Sequence, residues 1–427
     1  MKKIFRSISI IPLILIFTFT SLNGQNKVVY KKKTKFPVLD SIKKDRENKL
    51  NEKKKLTELI LEKNRDMKKS KEDNKKTLST DMRGVYPPAS IKDFASVFHF
   101  KPVAQYYTST CWSFSATSFY ESEIYRIHKR KVKLSEMWTV YFELIEKAKR
   151  FINERGLSEF SGGGETNGVN RIWKKYGIVP EKAYTGFLGK NRKHDHIPVM
   201  KELSRYLAFV KDNELWDLKD NIAHIKLILN KHLGTPPIKF DFNGKKYNPK
   251  TFMKEIVALN MDDYCSVMST KYFPFYTKQE FNVPDNWWHN KDYINLPLNE
   301  WYNVIRRSIS RGYSVAIGGD VSEPGKVGAA DVSFIPSFDI PERYIDQDSR
   351  EFRIYNKTTG DDHGIHLVGY KKKAGKNWFL IKDSGRSARL GKFKGYYFFR
   401  EDFIKLKMLT FTVHKDMLKS ILKRIKQ

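Results

Sequence analysis

A cysteine at the start of a predicted helix is the first candidate for chemistry in this sequence. Ser109 and Thr110 are residue types that commonly cap helices, and Cys111 falls in the first turn after them. A thiol there faces unpaired backbone N–H groups and the positive end of the helix dipole, which favour the thiolate, the form that attacks carbonyl carbons. Apolar side chains then recur at helical spacing: Trp112, Phe114, Ala116, Phe119, Tyr120, Ile124 and Ile127.

Two histidines far downstream are candidates for the base that would take the proton of the thiol. His363 and His366 lie in one predicted strand, where side chains three positions apart point to opposite faces, so only one of them can meet Cys111. A second predicted strand, Trp378 to Lys382, ends at Asp383. A carboxylate at that place can accept a hydrogen bond from an imidazole and fix its tautomer.

Four separated segments resemble the papain-like cysteine peptidases, and in particular their bleomycin hydrolase or aminopeptidase C branch. The first has Gln105 six positions before a Cys-Trp pair, the second has the glycines 163 and 164, and the third reads WKKYGIVPEKAY. The fourth, from 362 to 370, matches the family's histidine segment, which ends in Val-Gly-Tyr. Beside these four, the segment from Trp301 to Gly318 also resembles the bleomycin hydrolase branch.

The resemblance implies a fold and a set of roles. We expect an α+β, papain-like fold of two halves, one helical with the Cys111 helix and one an antiparallel, barrel-like sheet, with a helical insertion over about 189–302. Cys111 would be the nucleophile, His363 the base, Asp383 its orienting partner and Gln105 the donor to the oxyanion. The main chain of Gly163 and Gly164 would bind the extended peptide. His366 is then expected to be a packed strand histidine.

Two positions depart from the family's strand ending in Asn-Ser-Trp-Gly. Asp383 stands where the family has Asn, and Gly385 stands where it has the Trp that shields the Asn–His hydrogen bond. The carboxylate should favour the imidazolium and raise the pKa of His363, while the missing Trp predicts a pair that is more exposed to water. These departures motivate an alternative, a catalytically impaired peptidase fold that binds peptides or polyanions. A Cys-His-Asp acyltransferase or transglutaminase is a third hypothesis, because it shares the residue order.

Composition divides the chain into three parts. Residues 1–24 have a basic start and an apolar run typical of a cleaved secretory signal, which predicts export to the periplasm or the medium and no membrane span after cleavage. Residues 25–83 are densely charged and predict a partly helical linker or pro-segment. Residues 84–427 would form the peptidase domain, in which the segments Tyr313 to Ile317, Phe352 to Tyr355 and Gly395 to Phe399 are also predicted strands.

The net charge of +32 is a global feature of the sequence. It favours non-specific association with anionic surfaces, and no zinc-finger, RNA-recognition or helix-turn-helix signature predicts a specific nucleic-acid partner. Peptides or proteins are the expected substrates, no cofactor is implied, and the oligomeric state is left open. His194 and His196 flank Asp195 in a polar loop, where we expect exposed side chains and assign no metal. Cys265 and Cys111 are expected to be free thiols, with a disulfide between them as the competing hypothesis.

Overall fold

The computed structural model describes residues 27–190 and 192–425, which divide into two units at Thr77 and Leu78. The described part of the first unit consists mainly of helix α1 (Pro37–Asp73), which has no buried residue. Its charged sequence has too few apolar side chains to build a core of its own. The predicted signal at 1–24 lies outside the described residues, and none of the described helices is long and apolar enough to cross a membrane.

Ten further helices belong to the second unit, and the longest of them precede the main sheet in sequence. Their bounds are α2 (Cys111–His128), α3 (Glu136–Asn153), α4 (Thr166–Tyr176), α5 (Ile197–Asp212), α6 (Leu218–Leu233), α7 (Pro249–Phe252), α8 (Leu298–Ser310), α9 (Gln347–Tyr355), α10 (Glu401–Lys407) and α11 (Lys419–Leu422).

Strands of the second unit form one large sheet and one separate hairpin. Their bounds are β1 (Ala95–Ser96), β2 (Phe240–Phe242), β3 (Lys245–Tyr247), β4 (Tyr264–Met268), β5 (Lys278–Gln279), β6 (Tyr293–Asn295), β7 (Val315–Gly319), β8 (Lys326–Val327), β9 (Val332–Ser333), β10 (His363–Lys373), β11 (Lys376–Lys382), β12 (Tyr396–Arg400) and β13 (Met408–His414). The large sheet runs β5-β6-β4-β13-β7-β10-β11-β12-β9-β8, with β1 paired to β10, while β2 and β3 form the hairpin.

The architecture confirms the predicted α+β class but corrects the predicted barrel. Strands β4 and β6 are parallel, as are β9 and β12, so the sheet is mixed rather than antiparallel. Within the described residues its edge strands β5 and β8 do not pair with each other, so the sheet stays open.

Two predicted elements differ from the observed ones. Phe352 to Tyr355, predicted as a strand, is the end of helix α9. The region 189–302 is helical at its start, in α5 and α6. From residue 264 onward it instead supplies β4, β5 and β6 to the main sheet.

Helix α2 is held between the other helices and the sheet. Its residues from Trp112 to Ile124 are all buried, and strand β10 packs against its first turn. A Cβ placed on Gly364 of β10 would lie 3.3 Å from the Cα of Trp112 and 3.0 Å from Oγ of Ser115. The glycine therefore lets the backbone of β10 approach the beginning of α2, which brings the start of the strand beside Cys111.

Candidate active site

Cys111 is the first residue of α2, as the sequence predicted. The preceding residue, Thr110, does not cap the helix with its side chain, because its hydroxyl donates to Oγ1 of Thr108 at 2.7 Å. The first N–H groups of α2 are thus left without a side-chain acceptor from the cap position. Together with the helix dipole, they favour negative charge on the sulfur and on any oxyanion formed next to it.

His363 opens β10 beside the first turn of α2, and Cys111 is one of the groups near enough to its ring to raise the pKa of this histidine. Its Nε2–H donates to Oδ1 of Asp383 at 2.8 Å. Burial alone would lower the pKa of His363, but the negative charges of Asp383 and Cys111 outweigh it and raise the pKa to about 10. The imidazolium is therefore the favoured form at neutral pH, as a thiolate–imidazolium pair requires.

Asp383 follows the end of β11 and is buried, with no exposed side-chain surface. Burial favours its neutral form, but the ammonium of Lys326, the His363 ring and the N–H of Gly385 together hold the pKa of this carboxyl well below its usual range. The Lys326 Nζ lies 3.3 Å from Oδ2, and Gly385 N donates to Oδ1 at 2.6 Å. Both carboxylate oxygens are thus occupied by donors.

The expectation that Gly385 leaves this pair open to water is wrong. The side chain of Asp383 is fully buried, and that of His363 is 10% exposed. A Cβ at Gly385 would lie 3.0 Å from Oδ1 of Asp383 and 3.2 Å from Nε2 of His363, so the backbone itself packs against the pair. Lys326 and Arg389, whose guanidinium donates to the Asp383 carbonyl at 3.2 Å, lie against the aspartate.

Gln105 is held by its two neighbours in space. Its amide Nε2 donates to the carbonyl of Thr108 at 3.0 Å, and its Oε1 accepts from Oγ of Ser384 at 2.6 Å. The backbone N–H of Gln105 also donates to the Ser384 carbonyl at 3.0 Å. The amide group carries two hydrogens and Thr108 engages one of them, so the second is available as a donor.

The glycine segment expected to bind peptide is partly engaged by the chain itself. Lys147 Nζ donates to the carbonyl of Gly163 at 2.5 Å, and the carboxylate of Asp285 lies beside the backbone of Gly163 and Gly164. A Cβ on Gly163 would lie 2.1 Å from Oδ1 of Asp285, which shows how closely this carboxylate covers the segment.

A cleft of about 330 Å³ lies beside Ser109 and Gly162, next to the loop that carries Cys111. No Asp, Glu, Lys or Arg side chain lines it among the described residues, and Thr108 and Thr110 belong to its wall on the side of Ser109. Its other walls are formed by aromatic and aliphatic residues and by one histidine: Tyr106, Tyr107, Val140, Leu144, His196, Ile197 and Met200. The start of α5 thus contributes to a cleft next to the candidate nucleophile.

The other histidines singled out in the sequence, His366, His194 and His196, are buried. His366 is completely buried, its Nδ1 lies 2.8 Å from Oγ of Ser118, and burial lowers its pKa well below the usual value. It lies on the opposite face of β10 from His363, as a packed strand histidine should. His194 and His196 are buried rather than exposed as predicted, because His194 stacks on Phe187 at 4.1 Å between ring centroids.

The described residues were also predicted to hold no metal and to keep both cysteines as free thiols. Within the described residues, no group of three or more His, Cys, Asp or Glu side chains could hold a metal ion. Cys111 and Cys265 are both free, in agreement with the prediction of two thiols, and burial raises the pKa of Cys265.

Three residues near the site were missed by the sequence reasoning. Ser384 stands inside the Asp-Ser-Gly segment, so the family motif itself could have pointed to it. Lys326 and Asp285 lie in regions without a recognised motif, and no local pattern distinguishes either from the many other charged residues of the chain.

A cysteine at the start of a buried helix, facing a histidine at the start of a strand, is the arrangement of the papain-like cysteine peptidases. A model of the Peptidase C1-like family matches residues 157–427, more than half of the sequence, and the chain therefore belongs to this family. The matched part contains His363 and Asp383, while Cys111 precedes it.

Curated relatives agree with the predicted branch, and a solved structure shares the fold. Aminopeptidase C of Streptococcus thermophilus is 24% identical over 263 residues, which cover 50% of this chain and 57% of that protein. Aminopeptidase C of Lactococcus lactis subsp. cremoris is 22% identical over 382 residues, 80% of this chain and 86% of that protein. The crystal structure of PepW from Lactobacillus rhamnosis HN001 shares the fold, with a TM-score of 0.65 at 18% identity over 92% of this chain and 95% of that one.

Proposed function

We propose that this chain is a cysteine aminopeptidase, which hydrolyses the peptide bond after the first residue of a peptide. The observation that carries the proposal is the place of His363, whose ring donates to the Asp383 carboxylate at 2.8 Å and lies at the start of β10, beside the first turn of α2 that carries Cys111. A thiol, an imidazole and a carboxylate in this order are the groups that nucleophilic acyl transfer requires.

The reaction follows from the places of these groups. His363 takes the proton of Cys111, and the thiolate attacks the carbonyl carbon of the peptide bond to give a tetrahedral oxyanion. The N–H of Cys111 and the amide of Gln105 donate to that oxygen. His363 then protonates the leaving amine, which departs and leaves a thioester on Cys111. A water molecule gives its proton to His363 and attacks the thioester, which releases the acid and restores the thiol.

Removal of residues from the amino end is favoured by Asp285. In an extended peptide, the residues before the cleaved bond would pair with the main chain of Gly163 and Gly164. Asp285 lies against Gly163 and beside Gly164, so little room remains for a long segment on that side. The Asp285 carboxylate can also pair with the ammonium group of a substrate that has a short segment before the cleaved bond. The apolar cleft beside Ser109 favours an uncharged first side chain.

The alternative of a catalytically impaired fold is less well supported. It rested on Asp383 and Gly385, and both belong to a buried, fully hydrogen-bonded pair with His363. Export, the role of residues 25–83 and association with anionic surfaces stay predictions from the sequence.

Labelling with an epoxide inhibitor of thiol peptidases tests the nucleophile. We expect one adduct on Cys111 in folded, reduced protein, mapped by peptide mass spectrometry, and none on Cys265, because burial raises the pKa of its thiol and so disfavours the reactive thiolate. Cys265→Ala is the matched control and should label like the wild type. Absence of an adduct on Cys111 would sink the peptidase proposal, and amine incorporation without hydrolysis would favour the acyltransferase hypothesis.

Paired substrates test the choice between exopeptidase and endopeptidase. Leucine 7-amido-4-methylcoumarin should be cleaved at least about tenfold faster than its N-acetylated form, because the acetyl group removes the ammonium and meets Asp285. Asp285→Ala should reduce this ratio, whereas Asp292→Ala, an exposed change in the same loop, should not. Equal rates for both substrates in the wild type would make the chain an endopeptidase.

A further inference from the structure

Asp383 shares its carboxylate between two cationic partners that come from distant parts of the chain. His363 contacts Oδ1 at 2.8 Å, and Lys326 contacts Oδ2 at 3.3 Å. The side chains of the three residues are 0%, 10% and 5% exposed for Asp383, His363 and Lys326 respectively. This is a buried ionic triad in which both carboxylate oxygens are engaged.

The charge count explains why a lysine is needed at this place. The family's motif has a neutral Asn where this chain has Asp383, so a thiolate and an imidazolium beside it sum to zero. Replacing the amide by a carboxylate adds one negative charge to a site without solvent, which is costly unless a partner compensates it. The ammonium of Lys326 returns the sum of the four groups to zero.

We propose that Lys326 is a positioning residue that balances the charge of Asp383, so that the Asp383–Lys326 pair does for His363 what a neutral amide does in the family's motif. The inference rests on the proposed function of Cys111 and His363. Lys326 does not touch the reacting atoms and acts through Asp383.

The backbone and an aromatic ring hold Lys326 in this position. It belongs to β8, where it pairs with Ser333, and its N–H donates to the carbonyl of Glu323 at 3.0 Å. The preceding residue, Gly325, packs so closely that a Cβ would lie 2.0 Å from the carbonyl oxygen of Phe334. The ammonium lies 4.7 Å from the centre of the Tyr397 ring, a cation–π contact. A flexible side chain is thereby directed at one carboxylate oxygen.

Other charged groups around the triad act on different atoms. Arg389 donates to the backbone carbonyl of Asp383, and the ammonium of Lys382 donates to Oγ of Ser118 on α2. Asp361 contributes negative charge near His363. Among these groups, Lys326 is the cation that contacts the Asp383 carboxylate.

A double-mutant cycle tests the proposal with Lys326→Met, Asp383→Asn and the double variant, and Lys371→Met serves as an exposed control on β10. Asp383→Asn alone leaves Lys326 buried without its partner, and the pKa of His363 should fall by roughly one to three pH units. The pH profile of kcat/KM should then begin to fall at about pH 7–9 instead of about pH 10, because the imidazolium is lost at a lower pH. In the double variant, the pKa of His363 and the pH profile of the activity should both return much of the way to those of the wild type, because the neutral Asn no longer faces a buried cation. Lys326→Met alone should move the pKa of His363 upward by about one unit.

Two readouts decide the outcome. NMR titration of 13C-labelled histidines in the full chain, assigned with His363→Ala, follows the imidazole without needing turnover, and the pH profile of kcat/KM follows the reaction. An additive cycle, in which the double variant is as impaired as the two singles combined, overturns the proposal. The proposal is also overturned if the pKa of His363 in Lys326→Met is the same as in the control Lys371→Met and in the wild type.

Two further controls separate the causes of failure. Lys326→Arg keeps the charge and should preserve the titration, so a loss of folding in Lys326→Met leaves the charge argument testable through this variant and Asp383→Asn. A wild type that titrates as expected but hydrolyses no peptide would overturn the proposed function while leaving the charge balance supported.

Discussion

The residues of the candidate site on the helices follow the family's motif, whereas those on the sheet depart from it. On the helical side, Gln105, Cys111 and Trp112 match the family's pattern, and their positions follow from a local signal, the start of α2. On the sheet side, Asp383 and Gly385 depart from the pattern, and burial with a distant lysine compensates for them. A nucleophile can thus be placed by its neighbours in sequence, whereas the partner of its base depends on residues that only the fold brings together.

The largest expected effect concerns which histidine faces the helix. His363→Ala should lower kcat/KM by about 10³-fold or more, because the base and its contact with Cys111 are lost. His366→Ala, a change on the other face of the same strand, should leave kcat/KM within about tenfold and lower the free energy of unfolding by about 1–3 kcal/mol. Kinetics on a fluorogenic substrate and urea unfolding measure both. Full activity in His363→Ala with loss in His366→Ala would reverse the assignment.

The helical side is probed by Gln105→Ala, which should lower kcat by about 10²-fold with little change in KM, because it removes a donor that acts in the transition state. Gln279→Ala, on the edge strand β5, is the control and should behave like the wild type. If kcat of Gln105→Ala stayed within twofold of the wild-type value, Gln105 would not be a donor to the oxyanion.

The sheet side is probed by pH. The pKa of His363 is raised to about 10, so the imidazolium persists through neutral pH and is lost only above that value. Activity should therefore hold to about pH 10 and then fall about tenfold per pH unit. A kcat/KM profile in buffers of constant ionic strength measures this limb. A fall in kcat/KM that begins near pH 7 would mean that Asp383 does not raise the pKa of His363.

The smallest expected effect is that of Gly385→Ala. The new Cβ would lie 3.0 Å from Oδ1 of Asp383, so the pair must shift by a few tenths of an ångström, and kcat/KM should fall by about tenfold or less. Gly360→Ala, where a Cβ meets nothing within 4 Å, is the matched control. An increase in activity would show that this position tolerates a covering side chain, as the family's Trp provides.

Local signals explain what the sequence predicted and what it missed. Cys111 begins α2, as expected from the residue types before it, which favour helix starts. The segment Phe352 to Tyr355 was misassigned, because its β-forming residues hide a capping box that starts the helix at Asp346.

The tertiary partners of the site could not be predicted in the same way. Lys326 lies 57 positions from Asp383 and is one of 80 Lys and Arg residues, so no pattern in the sequence singles it out. Its role becomes visible only when the fold places β8 beside the end of β11. The burial of Asp383 was likewise missed, because it depends on packing around Gly385 that the sequence does not display.

Strand β8, which carries Lys326, has only two residues and lies at the edge of the sheet. Edge segments of this kind open locally at a lower free-energy cost than central strands. His363 lies in β10, near the centre of the sheet, and keeps its place during such an opening. The enzyme would then lose its charge balance at a temperature where the fold is still intact, and hydrogen exchange at the amides of 326–333 would report this functional melting before any global unfolding.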